Sequence, residues 1–204
     1  AAPAGLDQRI NTALAAMRLR GPDHQGFDRH PVCEGTVVLG HTRLAIIDLS
    51  SSGQQPMYSA DQRFGLVFNG EIYNYLELRV ELEALGARFR THSDTEVLLA
   101  AWSQWGKAAL PRFKGMFAFV VFDRQENSLT CVRDAFGIKP FFYALEDGAF
   151  IFGSELPALR ALKSQRATLN WQRAYDYLVH GEYDFGRESF IEGVVSLLPG
   201  QLLT

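Results

Sequence analysis

The sequence predicts an α+β fold in which two antiparallel sheets stack face to face between helices, a four-layer α/β/β/α sandwich. Four β-type runs within 115–154 are joined by short connectors, whereas parallel strands need crossovers of about a dozen residues. The run 116–122 is apolar at every position, so both faces of its sheet must be covered. A second sheet on one face and helices on the other satisfy this requirement.

The first predicted element is a helix over 6–19, because its apolar residues recur on one helical face and Gly21-Pro22 then ends it. β-type runs follow at 35–40, 42–48 and 64–68. The dipeptide Asn69-Gly70 comes after the third run and leads into a helix-like segment. It is therefore not expected to form the two-residue hairpin that such a pair usually indicates.

The middle of the chain carries two further helix patterns. Residues 75–85 predict a helix that Gly86 ends. Ser93 and Glu96 form a capping-box pattern that predicts the start of a helix ending at Gly106. The remaining predicted elements are strands at 115–123, 128–133, 140–145 and 149–154 and a helix near 171–179. Residues 1–155 are expected to form one domain, and 156–204 a tail that leads toward a further domain.

Composition and charge restrict the function classes. The 204 residues are 47% hydrophobic with a net charge of −3, which offers no basic surface for nucleic acid or anionic membranes. The longest apolar run, 116–122, is far shorter than the roughly 20 residues of a membrane span. Cys33 and Cys131 have no metal-ligand spacing and suit a reducing compartment, so a cytoplasmic protein without a metal site is expected.

Several polar residues are candidates for chemistry. Arg43 adjoins the apolar run 44–47. It either extends its charged end to water or pairs with a local carboxylate, or else it clamps a ligand carboxylate with two parallel hydrogen bonds. Asp94 lies in the first turn of a predicted helix, where the helix dipole alone favours a carboxylate. Asn69 and Gly70 together offer a side-chain amide and a backbone N–H to a developing oxyanion.

These residues belong to a set of segments that cover nearly the whole chain. The segments are 20–23, 40–49, 53–57, 68–74, 93–96, 115–119, 133–140 and 153–156. In order and spacing they resemble the class II glutamine amidotransferase domain of asparagine synthetases. The stretch 41–57 is specific to asparagine synthetases among the glutamine amidotransferases.

The resemblance implies the fold of N-terminal-nucleophile hydrolases, which is the four-layer sandwich. It implies a ligase, a glutamine-hydrolysing asparagine synthase, whose glutaminase domain releases ammonia from glutamine. A C-terminal synthetase domain would use ATP and Mg to amidate aspartate, while the glutaminase domain itself needs no cofactor. Glutamine and that synthetase domain are the implied partners, and a homodimer is left open.

The resemblance also assigns roles within the glutamine site. Arg43 would bind the α-carboxylate of glutamine, and the neighbouring backbone would line the site at Leu44, Ala45, Ile46 and Ile47. Glu71 and Asp94 would hold the α-ammonium group. Asn69 and Gly70 would form the oxyanion hole.

The sequence departs from the family at the nucleophile. The family attacks glutamine with the thiol of an N-terminal cysteine, whose α-amine serves as the base, whereas this chain begins with Ala1. Because Leu6 already opens the first helix, the family's first strand is expected to be missing along with its cysteine. Cys33 and Cys131 lie mid-chain and have no free α-amine.

Three interpretations of this departure are open. The chain is a segment of an asparagine synthetase whose first strand is not included, which the retained site residues favour. Alternatively, it is a relative that binds glutamine without hydrolysing it. In the third interpretation it is a docking module for a synthetase domain that uses free ammonia.

Overall fold

The structure is a computed structural model that describes residues 5–183 and 186–204. Its helices are α1 (Leu6–Ala16), α2 (Tyr75–Ala84), α3 (Asp94–Trp105), α4 (Leu156–Leu162) and α5 (Trp171–Tyr175). Its strands are β1 (His24–Val32), β2 (Gly35–Arg43), β3 (Met57–Tyr58), β4 (Phe64–Ile72), β5 (Gly115–Asp123), β6 (Ser128–Arg133), β7 (Phe142–Glu146), β8 (Ala149–Gly153), β9 (Val195–Ser196) and β10 (Leu202–Leu203).

A five-stranded antiparallel sheet in the order β10-β6-β5-β4-β3 lies at the centre. Strands β4 and β5 pair along their whole length, from Phe64 opposite Asp123 to Ile72 opposite Gly115. One face of this sheet packs against α2 and α3 through a buried cluster that includes Phe119. The second sheet layer covers the other face of β5, which explains why β5 is apolar on both faces.

The second face of the central sheet packs against the remaining strands. These form a β1-β2 pair and a three-stranded sheet in the order β8-β7-β9. Phe122 of β5 lies in the buried cluster between the layers with Leu39 of β2 and Tyr143 of β7. Helices α1 and α4 pack against each other and onto this second layer. The predicted four-layer α/β/β/α sandwich is therefore confirmed.

Two strand predictions need correction, and one strand was not predicted. The run 42–48 is not a strand beyond Arg43, because β2 ends there opposite the first residue of β1 and no strand of the described residues pairs with 44–48. Strand β1 was not predicted, since its sequence mixes charged residues with Gly and Pro. The short strand expected at 64–68 continues to Ile72, so Asn69 and Gly70 lie within β4 and not at its end.

The predicted start of α3 is confirmed at Ser93. Its side chain accepts a hydrogen bond from the backbone N–H of Glu96 at 3.2 Å. The Glu96 carboxylate does not complete a capping box, since it accepts hydrogen bonds from the N–H groups of Arg90 and Thr91. The buried carboxylate thus orders the loop before α3 and leaves the Ser93 N–H to the Thr91 hydroxyl.

The turn between β6 and β7 is organised by Asp134, which is 1% exposed. Its carboxylate accepts hydrogen bonds from four backbone N–H groups, three of which belong to Phe136, Ile138 and Lys139. The fourth is the N–H of Phe117 in β5. Burial disfavours the ionised carboxylate, but these bonds outweigh it and hold the pKa of Asp134 below its usual value.

Residues beyond 155 contribute to the same layers. Helix α4 packs against α1, while β9 pairs with β7 and β10 pairs with β6 at the edge of the central sheet. Helix α5 continues into a turn of π-helix over Asp176–His180, in agreement with the helix predicted near 171–179. In the described part of the chain, no helix is long and apolar enough to cross a membrane.

Candidate glutamine site

A cavity of about 270 Å³ lies between the two sheet layers. It is lined by β2, β4, β5, the end of β8 and the loop that follows β2. Of the residues predicted for the site, its lining includes Arg43, Leu44, Ile46, Ile47, Asn69, Gly70, Glu71 and Asp94. Residues from three distant segments of the sequence therefore meet at one cavity.

Arg43 is the cationic side chain of this group and is only 9% exposed. Its guanidinium donates to the backbone carbonyls of Ser50, at 2.7 Å, and of Asp48. A Cβ on Gly53 would lie 3.0 Å from Cζ of Arg43, so the guanidinium fits there only because Gly53 has no side chain. Of the two alternatives, a local carboxylate partner is not what fixes Arg43. Backbone carbonyls fix it, and further N–H donors remain for a ligand.

The loop after β2 brings three predicted residues, Leu44, Ile46 and Ile47, to the cavity. Leu44 and Ile46 are 54% and 69% exposed, since this stretch is a loop and not the predicted strand. Ala45 lies outside the cavity lining, and its backbone N–H donates to a carboxylate oxygen of Asp23 at 2.7 Å. This bond ties the loop to the turn that follows α1.

Asn69 and Gly70 occupy consecutive positions of β4, and both line the cavity. The side-chain amide of Asn69 donates to the hydroxyl of Ser154 at 3.4 Å. A Cβ on Gly70 would overlap the carbonyl oxygen of Met116 and lie 2.7 Å from Cα of Phe117. Strands β4 and β5 therefore approach too closely for any other residue at this position.

Two carboxylates lie on the same side of the cavity. Glu71 follows Gly70 in β4, and Asp94 is the first residue of α3. Asp94 accepts a hydrogen bond from the backbone N–H of Ile72 at 3.0 Å. Burial and then the charge of Glu71 raise the pKa of Asp94, against the effect of its backbone hydrogen bonds. A cationic ligand group placed here would relieve this repulsion.

Other cavity residues were not among the candidates predicted from the sequence. His41 and Gln55 both bond to the backbone of Phe68, the residue before Asn69. Ser154 contacts Asn69 from the end of β8. All three lie within segments that carry the family resemblance, and that membership is the one signal that singles them out from the sequence.

Neither of the two cysteines lines the cavity. Both are free thiols, and Cys33 is exposed in the turn between β1 and β2. Cys131 is buried in β6, where burial raises the pKa of its thiol to about 12. Among the described residues, no cluster of three or more His, Cys, Asp or Glu side chains is placed to hold a metal ion.

Comparison with known proteins identifies the family of this fold and site. A profile of the glutamine amidotransferase domain matches residues 2–204. The chain belongs to the glutamine amidotransferase domain family. This membership and the four-layer fold agree with the resemblance read from the sequence.

Similar curated proteins carry a consistent description. Glutamine-hydrolysing asparagine synthetase 3 of Bacillus subtilis is 37% identical over 97% of this chain and 32% of its own length. The identity is 44% with glutamine-hydrolysing asparagine synthetase 1 of the same organism, over 69% of this chain and 21% of that protein. The glutamine-hydrolysing asparagine synthetase of Zea mays is 40% identical over 74% of this chain and 25% of its own length. The chain spans about a third or less of these relatives.

Solved structures show the same fold. The glutamine phosphoribosylpyrophosphate amidotransferase of B. subtilis superposes with a TM-score of 0.64 at 23% sequence identity. The match covers 76% of this chain and 40% of that one. The sandwich of two antiparallel sheets is therefore shared between glutamine amidotransferases that differ widely in sequence.

Proposed function

We propose that this domain hydrolyses glutamine to glutamate and ammonia as the glutaminase part of an asparagine synthetase. One observation carries the proposal: a single cavity brings together the Arg43 guanidinium, the carboxylates of Glu71 and Asp94, and the donors of Asn69 and Gly70. Glutamine has a fixed anion and a fixed cation at its α-carbon and an amide at the other end. The cavity offers the complement of each group.

In this proposal each cavity residue meets one part of glutamine. Arg43 binds the α-carboxylate through N–H groups not used by the carbonyls of Ser50 and Asp48. Glu71 and Asp94 bind the α-ammonium group. Asn69 and Gly70 donate to the side-chain carbonyl oxygen as it becomes an oxyanion, which is the step where preorganised donors stabilise the transition state most.

The attacking group in this proposal is the thiol of an amino-terminal cysteine that the 204-residue sequence does not contain. Its own α-amine takes the thiol proton as the sulfur adds to the amide carbon of glutamine. The α-ammonium group so formed on the cysteine returns that proton to the departing ammonia, and water then hydrolyses the thioester to glutamate. Neither Cys33 nor Cys131 lines the cavity. The described residues therefore supply binding and oxyanion stabilisation.

The wider assembly follows from the relatives named asparagine synthetase. We propose that a C-terminal synthetase domain receives the ammonia and uses ATP and Mg to amidate aspartate, with a homodimer as one assembly to examine. We propose a cytoplasmic location because both cysteines are free thiols. The glutaminase domain itself is proposed to need no metal.

A glutaminase assay on the protein expressed from its complete gene tests the proposal. Glutamate release is expected, and Asn69→Ala should lower kcat about a hundredfold or more because one oxyanion donor is lost. The gene should encode cysteine as the residue exposed after removal of the initiating methionine. Any other residue there would refute the glutaminase proposal, and glutamine binding without glutamate release would favour a non-catalytic binding module.

A further inference from the structure

One edge of β4 lacks a neighbouring strand where it crosses the cavity. This edge pairs with β3 only at Gly65 and Leu66. Among the described residues no strand continues the pairing beyond Leu66. Backbone N–H and C=O groups point alternately to the two edges of a strand, so Phe68, Gly70 and Ile72 direct theirs to this unpaired edge. Side chains take the place of a strand at the first and last of these positions.

At Phe68 that side chain is Gln55. Continuing the register of β3 and β4 places Gln55 opposite Phe68. The side-chain oxygen of Gln55 accepts from the N–H of Phe68 at 2.6 Å, and its NH₂ group donates to the carbonyl of Phe68 at 3.2 Å. Because Gln55 is 6% exposed, both bonds are shielded from water. Its amide thus reproduces the pair of bonds that a strand residue would make.

His41 of β2 contacts the same carbonyl. Its Nε2 lies 3.0 Å from the carbonyl oxygen of Phe68. A carbonyl only accepts, so Nε2 carries the proton and Nδ1 is a bare acceptor. That Nδ1 is buried and has no hydrogen-bond partner in the described part of the chain. Burial lowers the pKa of His41 to about 4, so the imidazole is neutral at pH 7.

At the other end of the unpaired edge, Asp94 accepts from the N–H of Ile72. Gly70 lies between the two fixed positions, and no side chain of the described residues takes up its N–H. Its neighbour Asn69 shares a peptide plane with the carbonyl of Phe68 that Gln55 and His41 hold. The backbone of Asn69 and Gly70 is therefore held by β5 on one edge and, on the edge that faces the cavity, by these two side chains.

We propose that Gln55 and His41 are positioning residues that fix the backbone at Phe68 and thereby aim the Asn69 amide and the Gly70 N–H at the substrate oxyanion. The inference rests on the proposed glutaminase function and extends it to residues that do not touch the reacting atoms. A donor that is misdirected stabilises an oxyanion poorly, since the benefit depends on donor placement before reaction.

Steady-state glutaminase kinetics of the protein expressed from its complete gene test the proposal. Gln55→Met keeps the side-chain volume and removes both bonds to Phe68. It should lower kcat at least tenfold and change KM less than about twofold, because the α-groups of glutamine bind elsewhere. His41→Leu should lower kcat in the same way, and His41→Gln, which keeps a donor near the position of Nε2, should restore most of it.

A matched control separates positioning from stability. The Ser59 hydroxyl accepts from the N–H of Phe64 at 2.9 Å, on the same edge of β4 but outside the cavity lining. Ser59→Ala should leave kcat unchanged. The double variant of Gln55→Met with Asn69→Ala should lose less activity than the two single losses multiplied together, since only the Gly70 N–H then remains to be aimed.

Several results would overturn the proposal. The first is an unchanged kcat, or a change confined to KM, in folded Gln55→Met and His41→Leu. The second is an equal loss of kcat in Ser59→Ala. The third is a double variant whose loss of kcat equals the two single losses multiplied together. An inactive wild-type protein would refute the proposed function itself. The positioning role would then be measured from the exchange rate of the Gly70 amide proton, which Gln55→Met must change and Ser59→Ala must not.

Discussion

Buried charged side chains in this domain bond to the main chain. Arg43 donates to two carbonyls, Asp134 accepts from four N–H groups, and Glu96 accepts from two. A buried charge without such bonds would be costly, so each of these residues fixes the loop that supplies its partners. The loops around the cavity are therefore shaped by single side chains.

Arg43 is the first residue at which the proposed function predicts a measurable change. Arg43→Ala should raise KM for glutamine about ten- to a hundredfold, because a charge-assisted contact with the α-carboxylate is lost. The kcat should change less. Arg63→Ala serves as the control, since Arg63 pairs with Asp123 away from the cavity. An unchanged KM in glutaminase assays of Arg43→Ala would contradict the assigned role.

His41 predicts a pH dependence of stability. Its pKa is about 4 in the folded protein and near 6.5 when exposed. As pH falls through this window the unfolded chain binds a proton that the folded chain does not, so the free energy of unfolding decreases. In urea denaturation between pH 7 and 4, His41→Gln should show a shallower decrease than wild type. Equal slopes would contradict a buried neutral imidazole.

At the level of single residues, the sequence predicted the cavity lining better than the bonds that hold it. Arg43, Asn69 and Glu71 meet at one cavity as expected. The roles of Gln55 and His41 depend on the N–H and C=O groups that β4 exposes, and a strand edge cannot be read from residue types. Their contacts with Phe68 join segments distant in the sequence.

Helix α3 carries the best-defined element boundary. Ser93→Ala should lower the free energy of unfolding by about 1 kcal/mol, because the N–H of Glu96 loses its acceptor. Ser103→Ala is the control in the same helix, where the hydroxyl donates to the carbonyl of Leu99 and caps nothing. Chemical denaturation of both variants measures the difference. A larger loss in Ser103→Ala would contradict the capping assignment.

At the level of elements, prediction succeeded where one physical requirement dominates. The apolar pattern of β5 and the cap of α3 each determine their element. It failed for β1, whose charged residues fit a strand only because β2 pairs with all nine residues of β1. It also failed for 42–48, where apolar residues line a cavity and do not extend a sheet. In both segments the presence or absence of a neighbouring strand determines the structure, and the amino-acid composition of a segment does not reveal its neighbour.

The whole molecule contains two apolar layers that share the central sheet. Phe119 belongs to the layer under α2 and α3, and Phe122 to the layer between the sheets. Both residues are in β5, so loss of packing on either side acts on the same strand. The two layers are therefore expected to unfold together.

Substitutions on the two faces of β5 test this coupling. Phe119→Ala and Phe122→Ala should each lower the free energy of unfolding by about 3–5 kcal/mol. Tryptophan fluorescence, to which Trp102 beside Phe119 contributes, and far-UV circular dichroism should follow one transition in both variants. Phe136→Ala, at an 82% exposed position, should change stability by less than about 0.5 kcal/mol. Separate transitions for the two probes would contradict coupling of the layers.

The loop that follows β2 is fastened at several points along its length. Asp23 holds the N–H of Ala45, Arg43 holds the carbonyl of Ser50, and the N–H of His92 donates to Asp48 at 3.2 Å. The conformational entropy of this segment is therefore lost on folding and not on ligand entry. A calorimetric titration should then show the heat capacity change of a rigid receptor, and ligands of different affinity should differ mainly in how fast they dissociate.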